Sequence, residues 1–303
     1  MTTAPPEISV LMTSYNRADL IGSAIESVLA SSFSDFELIL TDDGSTDGTQ
    51  DVIRNYAKAD DRVKFYQNKT NLGDYPNRNQ AASLAQGEWL KYVDSDDYIY
   101  PTGLQVLINM MRQFPEAGYG LCSLPQFNER PFPFQLSPRE AYLEHYFGRP
   151  LFHKAPLSAI IRKSVWERVG GFSPTRMTSD MDMWHRLSVL YPVVLMPPGV
   201  IWYRFHAEQE TVDSRENEIE YRLKYEEIVK RMLADPDVPL TFNEKTRICE
   251  RVVRQNRRFA FRKFSQGDFK GGGKLWHHAR TFDSIDIQSN HEFDPRVSEN
   301  GVS

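Results

Sequence analysis

Three short apolar runs, residues 8–12, 36–40 and 89–93, each end abruptly in a polar turn. Runs this short, nearly unbroken and rich in β-formers, read as strands buried on both faces. The first is followed by a helical pattern with Leu20, Ile21, Ala24, Ile25, Val28 and Leu29 on one face and Asp19 as its expected cap. A second helix over residues 51–56, a strand over 63–66 and a helix over 77–85 continue the alternation. Strand–helix–strand units of this kind build a mostly parallel sheet flanked by helices. Such sheets bind their ligands at the carboxyl ends of the strands. There the run 89–93, interrupted only by Lys91, delivers Asp94, Asp96 and Asp97 within four residues. Carboxylates so close repel one another and are costly to desolvate without a cation. Hard oxygen donors at a strand end suit Mg²⁺ or Mn²⁺, with substrate phosphates completing the shell. A solvated acidic turn is the plain alternative.

Composition narrows the field. A chain of 303 residues can bury a large core in one domain with an appended module. A formal charge of −5 makes no case for nucleic acid as a partner. Two cysteines, Cys122 and Cys249, form neither a disulfide framework nor a zinc spacing. The first residues lack a signal-peptide pattern, and no apolar run has the length of a membrane span. The expected location is therefore the cytoplasm. One helix leaves room for peripheral contact with the inner membrane face: Arg247, Arg251, Arg254, Arg257, Arg258, Arg262 and Lys263 recur at spacings of three and four, interleaved with Val252, Val253, Phe259 and Phe261. A solvated face is the ordinary meaning of such a run; docking on anionic lipid or an acidic polymer is the sharper one.

Further candidates lie at the other strand ends. Residues 42–48 form an Asp- and Gly-rich turn in which Asp43 could accept from a nucleobase N–H. The offsets of Asp43, Ser45, Asp47 and Gly48 imitate a calcium loop, but Arg54 stands where that loop needs Glu. Thr13 and Tyr15 end the first strand, where an aromatic can stack on a base. Arg78 opens the helix before the acidic turn and could offset diphosphate charge. Asp180, at a helix start beyond Gly170-Gly171-Phe172, is a cap or a general base, with Asp182 in the same turn. His206 ends an expected strand over residues 200–205 and is a third metal ligand or a phosphate donor. Residues 125–138 hold four prolines and read as a loop or lid. Charged helical patterns fill residues 216–233 and 243–264, and the tail beyond Thr281 is polar.

Taken in order, Ser9-Val10-Leu11-Met12-Thr13-Ser14-Tyr15-Asn16, Asp42-Asp43-Gly44-Ser45-Thr46-Asp47, Asp94-Ser95-Asp96-Asp97, Gly170-Gly171-Phe172 and Asp180-Met181-Asp182-Met183-Trp184 resemble family 2 glycosyltransferases of the GT-A fold. Each motif is weak alone, but the ordered set, over residues 8–206, is specific. The resemblance implies a nucleotide-diphospho-sugar donor, a divalent metal and an inverting transfer. It matches Thr13, Tyr15 and Asp43 to the nucleoside pocket and Arg78 to a basic position near base and phosphates. It matches Asp94, Ser95, Asp96 and Asp97 to the D-x-D region, with Asp96 and Asp97 nearest ribose and metal, and Asp180 to the catalytic base. Family members often carry Glu-Asp where this chain has Ser179-Asp180, so the local charge is lower here.

The expected organisation is an α/β GT-A-like domain over residues 1–207, with a nucleotide-sugar half to about residue 100 and an acceptor half beyond it. A helical C-terminal module with a polar tail follows over 208–303. The expected reaction moves a sugar from a UDP- or dTDP-linked donor to an acceptor hydroxyl in cell-surface polysaccharide, lipopolysaccharide or other glycoconjugate synthesis, with a saccharide or lipid-linked saccharide as acceptor. Asp180 is the base; Asp96, Asp97 and His206 are the candidate ligands of Mn²⁺ or Mg²⁺. A sugar-1-phosphate nucleotidyltransferase would need the same carboxylates but also a Gly-rich basic loop where Tyr15-Asn16-Arg17 stands. A non-catalytic glycan-binding protein would not need Asp96, Asp97 and Asp180.

Overall fold

The computed structural model describes residues 4–205, 217–282 and 287. Two compact units account for the chain: Met1–Ala141 with Pro150–Gln209, and Tyr142–Arg149 with Glu210–Ser303.

The first unit is an eight-stranded sheet with helices packed on it. Four parallel strands come from the apolar runs: β1 (Ile8–Ser14), β2 (Phe36–Asp42), β3 (Val63–Gln67) and β4 (Trp89–Tyr92). Helices α1 (Ala18–Leu29), α2 (Thr49–Ala59) and α3 (Asp74–Leu84) connect them. The order β3-β2-β1-β4 places the first strand between the other apolar runs. Registers Thr13↔Thr41 and Ser14↔Asp42 align the carboxyl ends of β1 and β2, and Leu11 pairs with Tyr92 on the other side. Helix α1 buries Ile21, Ala24, Ile25 and Val28, the expected face. Its cap differs from expectation. Asp19 lies inside the first turn, and the leading N–H groups are taken up from the β2–α2 turn: Ala18 N donates to Asp47 Oδ2 (3.0 Å) and Arg17 N to Thr49 Oγ1 (2.8 Å).

The second half of this sheet is mixed. The ribbon β5 (Tyr98–Ile99) leads into α4 (Gly103–Met111) and β6 (Tyr119–Leu121). Next come β7 (Phe134–Leu136), α5 (Pro138–Phe147), β8 (Ala159–Arg162), α6 (Lys163–Val169), α7 (Ser179–Leu190), β9 (Val193–Leu195) and β10 (Ile201–Trp202). Strand β8 runs antiparallel to β4 and joins the two halves, in the order β4-β8-β6-β9-β7. Two expectations need correction. The proline-rich stretch is not wholly a loop, because Phe134 and Leu136 are buried and β7 closes the sheet edge on β9. The strand expected over 200–205 is only Ile201–Trp202, paired with β5.

Among the described residues, the second unit holds the last residues of α5 and three helices, α8 (Glu218–Ala234), α9 (Phe242–Ser265) and α10 (Phe269–Phe282). A capping box between Thr241 and Glu244 starts α9. Helix α10 was not expected, since Gly271-Gly272-Gly273 lies inside it. Among the described residues, no helix is long and apolar enough to cross a membrane.

Candidate active site

Parallel pairing sets the ends of β2, β1 and β4 side by side, and most of the expected site residues sit there. Tyr15, just past β1, is half exposed at 50%, as a stacking platform requires. Thr13, in the strand itself, is half-buried. Asp43 is 3% exposed, and its carboxylate is already engaged. Oδ1 accepts from Asn68 Nδ2 (2.8 Å) and Leu72 N (2.8 Å), and Oδ2 accepts from Gly73 N (2.9 Å). These bonds pin the loop leading into α3, and Oδ2 keeps capacity for one more donor. Asp42 and Asp47 serve the turn itself. Asp42 Oδ1 accepts from Ser45 N (3.0 Å) and Gln50 Nε2 (2.9 Å), and Asp47 Oδ1 from Thr49 N (3.0 Å).

The acidic turn after β4 is tight, with Asp97 N donating to Asp94 O (3.0 Å). Ser95 and Asp97 are buried; the Asp96 side chain is 17% exposed. Three arginines converge on the turn. Arg78 Nη1 lies 2.5 Å from Asp94 Oδ1 while its Nε holds Asp74 Oδ1 at 2.8 Å. Burial works against the Arg78 charge, but Asp74 and Asp94 hold its guanidinium well above its ordinary range. Arg17 Nε stands 3.8 Å from Asp96 Oδ2. Arg204 donates its backbone N–H to Asp97 Oδ1 (2.7 Å) and its Nε–H to Asp96 O (2.8 Å), with its guanidinium over the Tyr98 ring. Burial raises Asp94 above the usual carboxylate range, against the pull of Arg78. Asp97 is pushed up to about 8, by burial first and then by the charges of Asp94 and Asp96. Burial and mutual repulsion thus both disfavour the charged forms at this turn, a penalty that a bound cation would relieve. Among the described residues, no three Asp, Glu, His or Cys side chains form a ready-made metal shell. A Mg²⁺ or Mn²⁺ site completed by phosphates needs only one or two carboxylates, and the crowded Asp96–Asp97 pair fits that chemistry. His206 lies outside the described residues.

Asp180 occupies the first turn of α7, its Oδ1 accepting from Met181 N (2.8 Å). The helix start is anchored on all sides. Ser179, fully buried, donates Oγ–H to Ser173 O (2.5 Å). Arg186 pairs with Asp182 (Nε to Oδ2, 2.9 Å) and donates to Val169 O (2.5 Å) and Gly171 O (2.6 Å). The turn it grips is bonded in turn to α3. Asn79 Nδ2 donates to Phe172 O (2.8 Å), and Phe172 N donates to Asn79 Oδ1 (2.9 Å). The Phe172 ring sits among Tyr75, Tyr92 and Trp184, with centroids 5.3, 5.4 and 6.3 Å away. Gly171 has φ +70°, and a Cβ there would lie 2.8 Å from Asn79 Oδ1 and 2.6 Å from the Trp166 ring. One helix, α3, therefore holds the acidic turn through Arg78 and the approach to α7 through Asn79.

Sequence reasoning missed Arg17, Arg204 and Asn79; Arg186, expected as an ion-pairing residue, is one, with Asp182 as its partner. Arg204 and Asp97 are 107 positions apart, and Asn79 and Phe172 are 93 apart. The only local signal was Asn79 standing beside Arg78 in the chain.

The sequence model described as glycosyl transferase family 2 matches residues 9–179. The putative glycosyltransferase EpsE of Bacillus subtilis is 32% identical over 188 residues, which cover 60% of this chain and 66% of EpsE. The putative teichuronic acid biosynthesis glycosyltransferase TuaG of the same organism is 37% identical over 125 residues, covering 40% of this chain and 50% of TuaG. The chain thus spans between half and two-thirds of these relatives. A crystal structure of S. aureus TarS in complex with UDP-GlcNAc superposes with a TM-score of 0.67 at 21% identity, over 93% of this chain and 82% of that one.

Proposed function

The chain belongs to glycosyl transferase family 2, and we propose that it transfers a sugar from a nucleotide-diphospho-sugar to an acceptor hydroxyl in one displacement that inverts the anomeric carbon. The observation that carries this reading is the double grip of α3, which ties the acidic turn after β4 to the helix bearing Asp180. A donor-binding turn and a candidate base held by one rigid element are what an in-line displacement requires.

In this reading Tyr15 stacks on the base and Asp43 Oδ2 accepts from the ring N–H of uracil or thymine. A uridine donor is supported by the TarS complex with UDP-GlcNAc. Asp94 and Ser95 face the ribose side, and Arg78 places fixed positive charge behind them. Asp96 and Asp97, with His206 as a further candidate, would hold Mn²⁺ or Mg²⁺, which supplies charge neutralisation for the departing diphosphate. Asp180 removes the acceptor hydroxyl proton as that oxygen attacks. Bond breaking runs ahead of bond making in an oxocarbenium-like state, so a base of ordinary carboxylate strength suffices. The acceptor class is a saccharide or lipid-linked saccharide of cell-surface polysaccharide or glycoconjugate synthesis, a choice supported by TuaG, named for teichuronic acid biosynthesis.

Asp180→Asn tests the assignment. Turnover of a UDP-sugar on a competent acceptor should drop by about 10³-fold, while nucleotide affinity, read by calorimetry, stays at the parent value. Parent-rate transfer by this variant would remove Asp180 from the chemistry.

A further inference from the structure

Positive charge is concentrated at one end of the sequence. Residues 242–282 carry eleven Lys and Arg against three Asp and Glu, whereas the whole chain carries 36 against 41. The remainder is therefore acidic. Helices α9 and α10 form an antiparallel hairpin. Phe261 packs edge-on against Trp276 at 5.4 Å, Phe264 lies against Gly272, and Cys249 Sγ reaches Phe282 O (3.5 Å).

Along α9, Arg247, Arg251, Arg254 and Arg258 repeat every three or four residues and are all exposed, so they form one stripe. Ile248, Val252, Val253 and Phe259 are buried. Among the described residues, Arg251, Arg254 and Arg258 make no ion pair; Arg262 and Lys263, one turn on, are held by Glu218. The stripe ends at Phe261, which is 62% exposed. On α10, Arg280, one turn beyond Trp276, is exposed as well. At the hairpin tip Phe269 is 72% exposed, next to exposed Lys270.

A face built only for water needs neither unpaired aligned guanidinium groups nor large bare rings. A soluble polyanion would satisfy the arginines and leave Phe261 and Phe269 in water. An anionic bilayer satisfies both, because rings enter the headgroup boundary while guanidinium groups meet lipid phosphates. We propose that the α9–α10 hairpin is a peripheral docking surface for anionic lipid bilayers, with Phe261 and Phe269 as the inserting rings and Arg251, Arg254, Arg258 and Arg280 as the charge contacts.

The test is co-sedimentation of the full chain with phosphatidylcholine vesicles, with and without about one-third phosphatidylglycerol. Binding should require the anionic lipid and weaken as salt is raised. Arg254→Glu with Arg258→Glu should lower partitioning by at least about 25-fold, since each basic side chain near such a surface is worth roughly fivefold. Phe261→Ser with Phe269→Ser should lower it about tenfold and leave the remainder fully salt-sensitive. All four positions are exposed, and unchanged helical circular dichroism checks that folding is retained. Three results overturn the proposal: no sedimentation of the parent with anionic vesicles, equal binding to neutral vesicles, or capture by soluble polyphosphate without vesicle binding. Turnover on a soluble acceptor is a separate readout, so failure here leaves the transferase reading untouched.

Discussion

Arg78 and Asn79 are neighbours in the chain with different partners. Arg78 neutralises carboxylates at the acidic turn, and Asn79 closes a two-bond clasp on the Phe172 backbone. Neither clasp atom is replaceable by water, because Phe172 is 2% exposed. Asn79→Ala would leave a backbone N–H and C=O without partners, at a cost of about 2–4 kcal/mol in stability. Because Asn79 faces the α7 approach, kcat should drop about tenfold while the donor KM stays within about twofold. Asn79→Asp, which keeps the acceptor and loses the donor, should fall between the two. Steady-state kinetics with both substrates varied read this split; a rise in donor KM at constant kcat would place Asn79 on the nucleotide side instead. Such residues are invisible in a sequence because their meaning lies in partners far along the chain. Asp43, Asp96 and Asp180 stood out because each follows an apolar run or opens an amphipathic one. Arg17 and Arg204 are ordinary surface arginines until the fold brings Asp96 and Asp97 to them.

At the level of elements, period was a reliable guide and composition a poor one. Strands β1, β2 and β4 declared themselves by apolar runs with one polar interruption each, and α1 by its buried face. Proline hid β7, a short edge strand with only one paired neighbour, where proline nearby costs no ladder bonds. Glycine hid α10, since three in a row argue against helix. The packing explains them. A Cβ on Gly271 would lie 2.4 Å from Ile219 Cδ1, and one on Gly272 2.5 Å from the Phe264 ring, so both are required for close approach. Gly273 meets nothing within 4 Å. Gly272→Ala should therefore destabilise by about 1–3 kcal/mol through overpacking, whereas Gly273→Ala should stabilise by about 1 kcal/mol through helix propensity. Urea unfolding of the two variants separates these signs.

On the scale of the whole molecule, the parallel half of the sheet concentrates its candidate donor-binding groups at one end, so ligand binding should register as global stability. A nucleoside diphosphate at a hundredfold excess over its Kd adds about 2.7 kcal/mol to the state that binds it. UDP with Mn²⁺ should raise Tm by several degrees, Asp96→Asn should lose most of the shift, and chelator should lose the metal-dependent part. An equal shift with ADP would overturn the assignment of Asp43 as a reader of the pyrimidine ring.

The path of the chain carries a lesson for anyone who would excise one half of it. Tyr142–Arg149 belongs with the C-terminal helices although it is flanked on both sides by the sheet unit. His145 Nε2 meets the Tyr225 hydroxyl at 2.9 Å, and Arg247 covers the Phe147 ring. A stop codon placed after the last strand strips these aromatic side chains of their cover, and a fragment begun there lacks the octapeptide that completes it. No single cut yields two intact pieces, so the gene for this protein is best handled undivided.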